Sequence, residues 1–166
     1  MDHMRIRTIF LIDCSAEIAW QAAHTPGAAA QLYEPALHMS DKHGTLPTQF
    51  ESGSRVEVAL RLFGFVPVGV QRIEIEDIPL TQFPPGARTM RDAGRPLSGP
   101  LALLRGWNHE ITVWPMGSRA TVWHDELTIN GAFAPLLSLG LRPMWRWRQA
   151  KLTRLARAWA RDSEAG

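Results

Sequence analysis

Two stretches of alternating side chains, Leu104–Trp114 and Arg119–Asn130, flank a turn-forming Pro-Met-Gly-Ser segment and constrain the fold more than any other part of the sequence. Alternation of apolar and polar residues predicts strands, and a short glycine-containing connection predicts an antiparallel hairpin. If the turn is centred on Gly117, opposed residue numbers sum to about 234 and the odd-numbered residues share an apolar face. Because a slip of one residue would exchange the two faces, the pattern itself predicts which face is buried.

A long amphipathic helix is predicted after this hairpin, over residues 133–162, with a kink at Gly140–Pro143. One face of the helix is apolar and consists of Leu141, Met144, Trp145, Leu152, Leu155, Ala156 and Trp159. The opposite face is a stripe of Arg142, Arg146, Arg154, Arg157 and Arg161. Arg148 falls inside the apolar sector, whereas Trp147 falls outside it.

The chain begins with a predicted strand over Arg5–Asp13. Ser15 can cap a short helix that ends near Ala23, and Pro26 suits the first turn of a second short helix that ends near Tyr33 or Leu37. A short strand is predicted near Leu46–Glu51.

A second hairpin is predicted in the middle of the chain, where Arg55–Leu62 alternates strictly and Val66–Ile78 follows. A two-residue turn at Gly64-Phe65 places Glu57 opposite Arg72 and Arg55 opposite Glu74. Opposite charges on the outer face support this register. A further short strand is predicted at Arg88–Arg91.

The order of these elements resembles the SRPBCC superfamily, which includes START-like helix-grip proteins, and most closely its bacterial polyketide cyclase/dehydrase-like group. The residues that match are Trp107-Asn108-His109, Pro115-Met116-Gly117, Asp125-Glu126-Leu127, the helix after Gly131, and the opening strand and helix of Ile9–Trp20.

This resemblance implies an α+β helix-grip fold. In that fold a curved antiparallel sheet of about six to seven strands, with two short helices after the first strand, wraps a long C-terminal helix over a cavity. We therefore expect residues 1–166 to form a single ligand-binding domain. Members of the superfamily usually bind a hydrophobic small molecule, and some cyclise polyketides. The superfamily has no universal catalytic motif, so the resemblance transfers no catalytic residue.

His109 and Asp125 are the strongest catalytic candidates, because the predicted register makes them neighbours on the buried face. A carboxylate that accepts from an imidazole fixes its tautomer, which is the arrangement used when histidine is a general base. The alternative is a satisfied polar pair that only fixes the strand register. No nucleophile is predicted beside them, so a hydrolase triad is not supported.

The predicted ligand-binding residues are Trp107, Ile111, Trp123, Trp145 and Arg148. Aromatic faces suit a flat, ring-bearing ligand, and a few polar groups suffice to orient it. Arg148 could bind an acidic or carbonyl end of the ligand, because a guanidinium within an apolar face must find acceptors. An internal salt bridge, or a side chain that reaches the helix edge, is the alternative.

Composition narrows the class of protein. Hydrophobic residues make up 45% and charged residues 20%, which excludes a disordered chain, and a formal charge of +2 does not indicate a nucleic-acid partner. The single cysteine, Cys14, excludes an intramolecular disulfide and a multi-cysteine zinc site, and the histidines lack metal-ligand spacing. We expect no metal and no cofactor. Without an apolar stretch long enough for a signal peptide or membrane span, the sequence predicts a cytoplasmic protein.

Three functions stay open at this point. The first is binding, transport or sequestration of a hydrophobic, ring-containing small molecule in the cavity. The second is a polyketide cyclase/dehydrase-type enzyme that uses His109 with Asp125 as base and Arg148 to stabilise an anion. The third is a membrane-surface or protein-interaction module, in which the arginine stripe of the last helix contacts anionic lipid or an acidic partner.

Overall fold

The computed structural model describes residues 3–79 and 84–165. In chain order its elements are β1 (His3–Ile12), α1 (Ala16–Ala23), α2 (Pro26–Tyr33), β2 (Leu37–Asp41), β3 (Arg55–Leu62), β4 (Val66–Ile78), β5 (Arg88–Asp92), β6 (Arg95–Pro96), a 3₁₀ helix (Pro100–Leu103), β7 (Gly106–Pro115), β8 (Thr121–Asn130) and α3 (Ala134–Ala165).

Within the described residues the strands form a curved antiparallel sheet of 8 strands in the order β1-β8-β7-β5-β4-β3-β2, with β6 paired to β4 beside this path. The long helix α3 packs against this sheet, and α2 packs against α3. The predicted α+β architecture is confirmed, including the two short helices after the first strand. The sheet has more strands than the six to seven expected, since β6 is a two-residue strand within a Pro- and Gly-rich segment.

The helices after β1 begin where the sequence predicts. The Ser15 hydroxyl accepts a hydrogen bond from the Ile18 amide at 3.3 Å, and Pro26 stands in the first turn of α2. The strand predicted near Leu46–Glu51 is wrong, because the strand that pairs with β3 is β2. Pro47 lacks an amide hydrogen for a ladder, and the Phe50 amide bonds to the His24 carbonyl instead.

The β3–β4 hairpin keeps the predicted charge pairs but not the predicted turn. Arg55 faces Glu74 and Glu57 faces Arg72, as expected. The turn itself is centred on Phe63 and Gly64, which have φ of 50° and 82°. A register shift between Leu60 and Arg61 restores the predicted pairing beyond the turn.

The β7–β8 hairpin has the predicted faces and a different register. Opposed residue numbers sum to 236, so His109 faces Leu127 and Ile111 faces Asp125. The predicted direct pairing of His109 with Asp125 is therefore wrong. The turn spans one more position than expected, since the Met116 amide bonds to the Ala120 carbonyl. A shift of two residues preserves the faces, and the odd-numbered residues of β8 are all buried.

The helix α3 continues through Pro143, so the proline does not end it. Its predicted apolar face is buried most deeply at Leu141, Trp145, Leu152 and Ala156, each at most 3% exposed. The arginine stripe is exposed, and Trp147 is 47% exposed. No helix in residues 3–79 and 84–165 is long and apolar enough to cross a membrane.

Two glycines allow the segment before the 3₁₀ helix to touch β4 backbone to backbone. A Cβ on Gly99 would lie 1.8 Å from the Val68 carbonyl oxygen, and one on Gly69 would lie 2.2 Å from the Ser98 carbonyl oxygen. Both glycines have positive φ, which L side chains rarely adopt. No side chain fits at either position.

Candidate functional site

A cavity of about 120 Å³ lies between α3, α2 and the inner face of the sheet. Most of its lining is aliphatic or aromatic. Outside the tryptophans, the polar side chains that line it are Tyr33, Gln71, Asp92, His109 and Arg148. An apolar cavity with a few convergent polar groups is the usual form of a small-molecule site.

Asp125 lies behind the cavity wall and does not line the cavity itself, but its carboxylate is hydrogen-bonded to three side chains that do. Its Oδ1 atom lies 2.6 Å from His109 Nε2 and accepts from Trp145 Nε1 at 3.0 Å. Its Oδ2 atom accepts from Arg148 Nη2 at 2.8 Å. Each donor comes from a different place on β7 or α3, so one buried carboxylate fixes three cavity side chains.

Asp125 and Arg148 form a buried ion pair. Burial opposes ionisation of Asp125, but the charge of Arg148 and the hydrogen bond to His109 outweigh burial and hold its pKa well below the usual range. Burial likewise opposes the charge of Arg148, and Asp125 then raises the pKa of the guanidinium. Both groups are therefore charged at neutral pH.

Tyr33, at the end of α2, completes this cluster. Its hydroxyl accepts a hydrogen bond from Arg148 Nη1. The Arg148 guanidinium also stands 4.8 Å from the Tyr33 ring centroid and 5.0 Å from that of Trp145. Burial raises the pKa of Tyr33, so the phenol keeps its hydrogen.

Two donor atoms of this cluster donate no hydrogen bond to the described residues. Arg148 Nε is buried and has no hydrogen-bond partner among the described residues. The Tyr33 hydroxyl accepts from Arg148, and no described acceptor takes its own hydrogen. A guanidinium carries five N–H donors in a rigid fork, of which Tyr33 and Asp125 use two.

The structure brings most of the predicted site residues to one cavity. Its lining includes His109 together with the five predicted ligand-binding residues, Trp107, Ile111, Trp123, Trp145 and Arg148. Asp125, predicted as a catalytic partner, lies behind the wall. The two alternatives for Arg148 occur together, since the side chain lines the cavity and is also paired to an internal carboxylate.

Sequence reasoning missed Tyr33, Gln71 and Asp92. Asp92 lies opposite His109 across β5 and β7, and its Oδ1 accepts from the Glu74 and Gly94 amides at 2.9 Å each. Burial raises the pKa of Asp92. The one available signal was that Tyr33 is the only tyrosine of the chain.

Cys14 is buried, which disfavours its thiolate. Burial, together with the nearby charge of Asp13, raises its pKa to about 11. Among the residues that the structure describes, no group of three His, Cys, Asp or Glu side chains is placed to hold a metal ion.

A family model described as "Domain of unknown function (DUF8410)" matches residues 11–156. No curated protein matches the sequence.

Solved structures share the fold at low sequence identity. Protein CV1439 from Chromobacterium violaceum is 18% identical with a TM-score of 0.61, over 92% of this chain and 96% of that one. The Zhui aromatase/cyclase from Streptomyces sp. R1128 is 9% identical with a TM-score of 0.63, over 94% of both chains. A norcoclaurine synthase point mutant from Thalictrum flavum, in complex with a transition state analogue, is 14% identical with a TM-score of 0.58, over 93% of this chain and 94% of that one. The predicted helix-grip fold is thereby confirmed.

Proposed function

This chain belongs to the DUF8410 family, and we propose that it binds a small, largely apolar, ring-containing molecule whose oxygen acceptor lies against Arg148 and Tyr33. The tryptophans around the cavity offer flat faces for the body of such a molecule. The polar cluster at one end supplies its orientation.

The observation that carries this proposal is the pair of unused donors on two side chains that line an apolar cavity. Arg148 Nε and the Tyr33 hydroxyl both have a hydrogen to donate, and the described residues offer them no acceptor. A buried donor without a partner costs free energy, so a ligand that brings an acceptor relieves that cost. A purely apolar ligand would leave it in place.

The charge balance favours a carbonyl or phenolic oxygen over a free carboxylate. Asp125 already compensates the charge of Arg148 at 2.8 Å. A buried carboxylate ligand would have to lose its hydration without a net positive charge to receive it. A neutral acceptor gains the hydrogen bonds of Arg148 and Tyr33 at a much smaller desolvation cost.

A matched pair of probes tests the proposal. We would titrate 6-propionyl-2-dimethylaminonaphthalene and its 6-propyl analogue, which differ only by the carbonyl oxygen, and follow quenching of tryptophan fluorescence. A hydrogen bond to a charged group is worth about 1.5–3 kcal/mol, so the ketone should bind about tenfold more tightly or better.

The matched variant is Asp125→Asn/Arg148→Met, which removes both charges together and leaves no buried charge unpaired. In this variant the ketone loses the hydrogen bond of Arg148 and keeps only that of Tyr33, so its advantage over the propyl probe should shrink; adding Tyr33→Phe should make the two affinities similar. Equal affinities in the original protein would overturn the acceptor site, and failure of both probes to bind would overturn ligand binding in this cavity. Native mass spectrometry of freshly purified protein would show whether a molecule of this class is carried along.

Proton transfer by His109 is a second candidate function. The Asp125 carboxylate is hydrogen-bonded to His109 Nε2. The His109 Nδ1 atom has no hydrogen-bond partner among the described residues of the cavity. With a carbonyl held by Arg148 and Tyr33, the imidazole could take a proton from the adjacent carbon while those donors hold the enolate oxygen.

Hydrogen exchange tests this second function without knowledge of the natural substrate. In D₂O the protein should accelerate exchange at the carbon next to the carbonyl of the bound propionyl probe, because the proton on Nδ1 is replaced by a solvent deuteron. His109→Gln should abolish the acceleration while probe affinity stays within about twofold. Exchange no faster than in buffer would remove the enzymatic hypothesis and leave the binding hypothesis intact.

A further inference from the structure

A second apolar cavity, of about 170 Å³, adjoins the first one. It lies between the β3–β4 hairpin, the segment from Pro96 to Leu101, and α3. The two cavities meet at five residues that line both, Leu37, Leu60, Gln71, Leu101 and Met144. Met144 at this boundary is unbranched and flexible, and methionine adapts to what lies against it.

Gln71 is the polar group at this boundary. It is 7% exposed, and its Nε2 atom donates to the Arg72 carbonyl at 3.2 Å. Its Oε1 atom is buried and has no hydrogen-bond partner among the described residues. Because a buried acceptor without a partner costs free energy, a ligand that places a hydrogen-bond donor at this junction would be favoured.

Residues on one face of α3 lead from the first cavity to the second. Arg148, Met144 and Leu141 follow one another by one helical turn on the same face of α3, and they line the first cavity, both cavities and the second cavity in that order. A molecule held at Arg148 by its oxygen acceptor can therefore extend along α3 into the second cavity.

We propose that the second cavity is a subsite for an apolar tail, and that Gln71 accepts a hydrogen bond from a hydroxyl group between the tail and the oxygen acceptor. The ligand is then an elongated amphipathic molecule with a carbonyl-bearing ring at Arg148 and an alkyl chain directed toward the first turns of α3. This inference rests on the proposed function of the first cavity and adds the ligand class.

A chain-length series tests the tail subsite. We would compare the 6-propionyl probe with its 6-octanoyl homologue, which adds five methylenes. Burial of even two methylenes should give a roughly tenfold gain in affinity or more. Val70→Phe, which places an aromatic ring in the second cavity alone, should remove most of the gain and leave the propionyl affinity within about twofold.

Val66→Phe is the matched control, since Val66 lies on the same strand and lines neither cavity. It should keep the full gain. Val68→Phe fills the same cavity as Val70→Phe and serves in its place if that variant does not fold. An octanoyl probe that gains nothing, or a gain that survives both cavity-filling variants, would overturn the subsite. The propionyl affinity reports the proposed function separately, because its failure shows in the short probe.

The role of Gln71 needs a hydroxylated series. Octanoyl probes that carry one hydroxyl at carbon 4, 5 or 6 of the chain should include one that binds as tightly as the plain octanoyl probe. In Gln71→Met every hydroxylated probe should bind about tenfold less tightly than the plain one, because its hydroxyl is buried without an acceptor. Equal losses in the original protein and in Gln71→Met would overturn the assignment of Gln71.

Discussion

Asp125 and Glu126 are neighbours on β8 and point to opposite faces of the sheet. Each carboxylate is paired with cationic or histidine side chains, and we call the group around Asp125 the inner network and the group around Glu126 the outer network. Asp125 is bound to His109 and Arg148, with side chains at most 10% exposed. Glu126 lies 3.3 Å from Arg5 and 2.7 Å from Arg7, whose side chains are 60% and 48% exposed. The two carboxylates pair with similar kinds of side chain, and their networks differ mainly in exposure to water.

This difference determines what each network can do. Water screens the outer network, and its long arginine side chains lose conformational freedom when they pair, so it contributes little to stability. The inner network is held where desolvation is costly, so each partner depends on the others. It fixes the orientation of cavity side chains, which a surface network has no need to do.

The largest expected effect is on the inner pair. Arg148→Met alone leaves Asp125 charged and buried, and should lower the free energy of unfolding by about 3–5 kcal/mol. The double variant Asp125→Asn/Arg148→Met should recover most of that loss. Urea denaturation of both variants measures this, and a single variant as stable as the original protein would mean that water reaches Asp125.

Leu152→Ala separates apolar burial from charge in the same region, since Leu152 lies one helical turn beyond Arg148 and is 2% exposed. We expect a loss of about 2–5 kcal/mol, the range for large-to-small changes in a core. A measured loss below about 0.5 kcal/mol would contradict the packing of this face of α3.

The inner pair should also give stability a dependence on acidic pH. The pKa of Asp125 is lowered by folding, so the unfolded chain binds the proton first and stability is lost as pH falls below about 4. Between pH 7 and pH 3 the original protein should lose more stability than the double variant. Asp92, whose pKa is raised, acts in the opposite direction and is present in both proteins, so the comparison isolates the pair.

The smallest expected effect belongs to the outer network. Arg7→Ala should change the free energy of unfolding by about 1 kcal/mol or less, and the change should shrink further at high salt. A salt-independent loss as large as that of Arg148→Met would mean that the two faces do not differ as described.

The faces of the β7–β8 hairpin were predictable because alternation depends on local sequence alone. The pairing of His109 with Leu127, and of Ile111 with Asp125, was not predictable, because moving the centre of the turn by one residue moves the register by two positions and leaves every face unchanged. The contact between His109 and Asp125 survives this error, since diagonal neighbours on one face remain within reach of long side chains.

The placement of Tyr33 and Asp92 in the cavity was not predictable in the same way. Tyr33 reaches Arg148 across 115 positions of sequence, through the packing of α2 on α3. Asp92 reaches the cavity because Gly94 lets the chain turn against the Arg72 backbone, where a Cβ would lie 1.9 Å from the carbonyl oxygen. Neither contact leaves a local pattern in the sequence.

The backbone contact of Gly69 with the segment at Gly99 has a consequence for how this protein could change its specificity. The contact holds the frame of the second cavity at positions that accept no side chain, whereas Val68 and Val70, which flank Gly69 on β4, line that cavity and carry side chains that can vary in size. Substitutions at Val68 and Val70 can therefore change the size of the second cavity without moving the backbone around it. A saturation library should tolerate exchanges at Val68 and Val70 and reject them at both glycines, so ligand preference can diverge among descendants that keep one backbone.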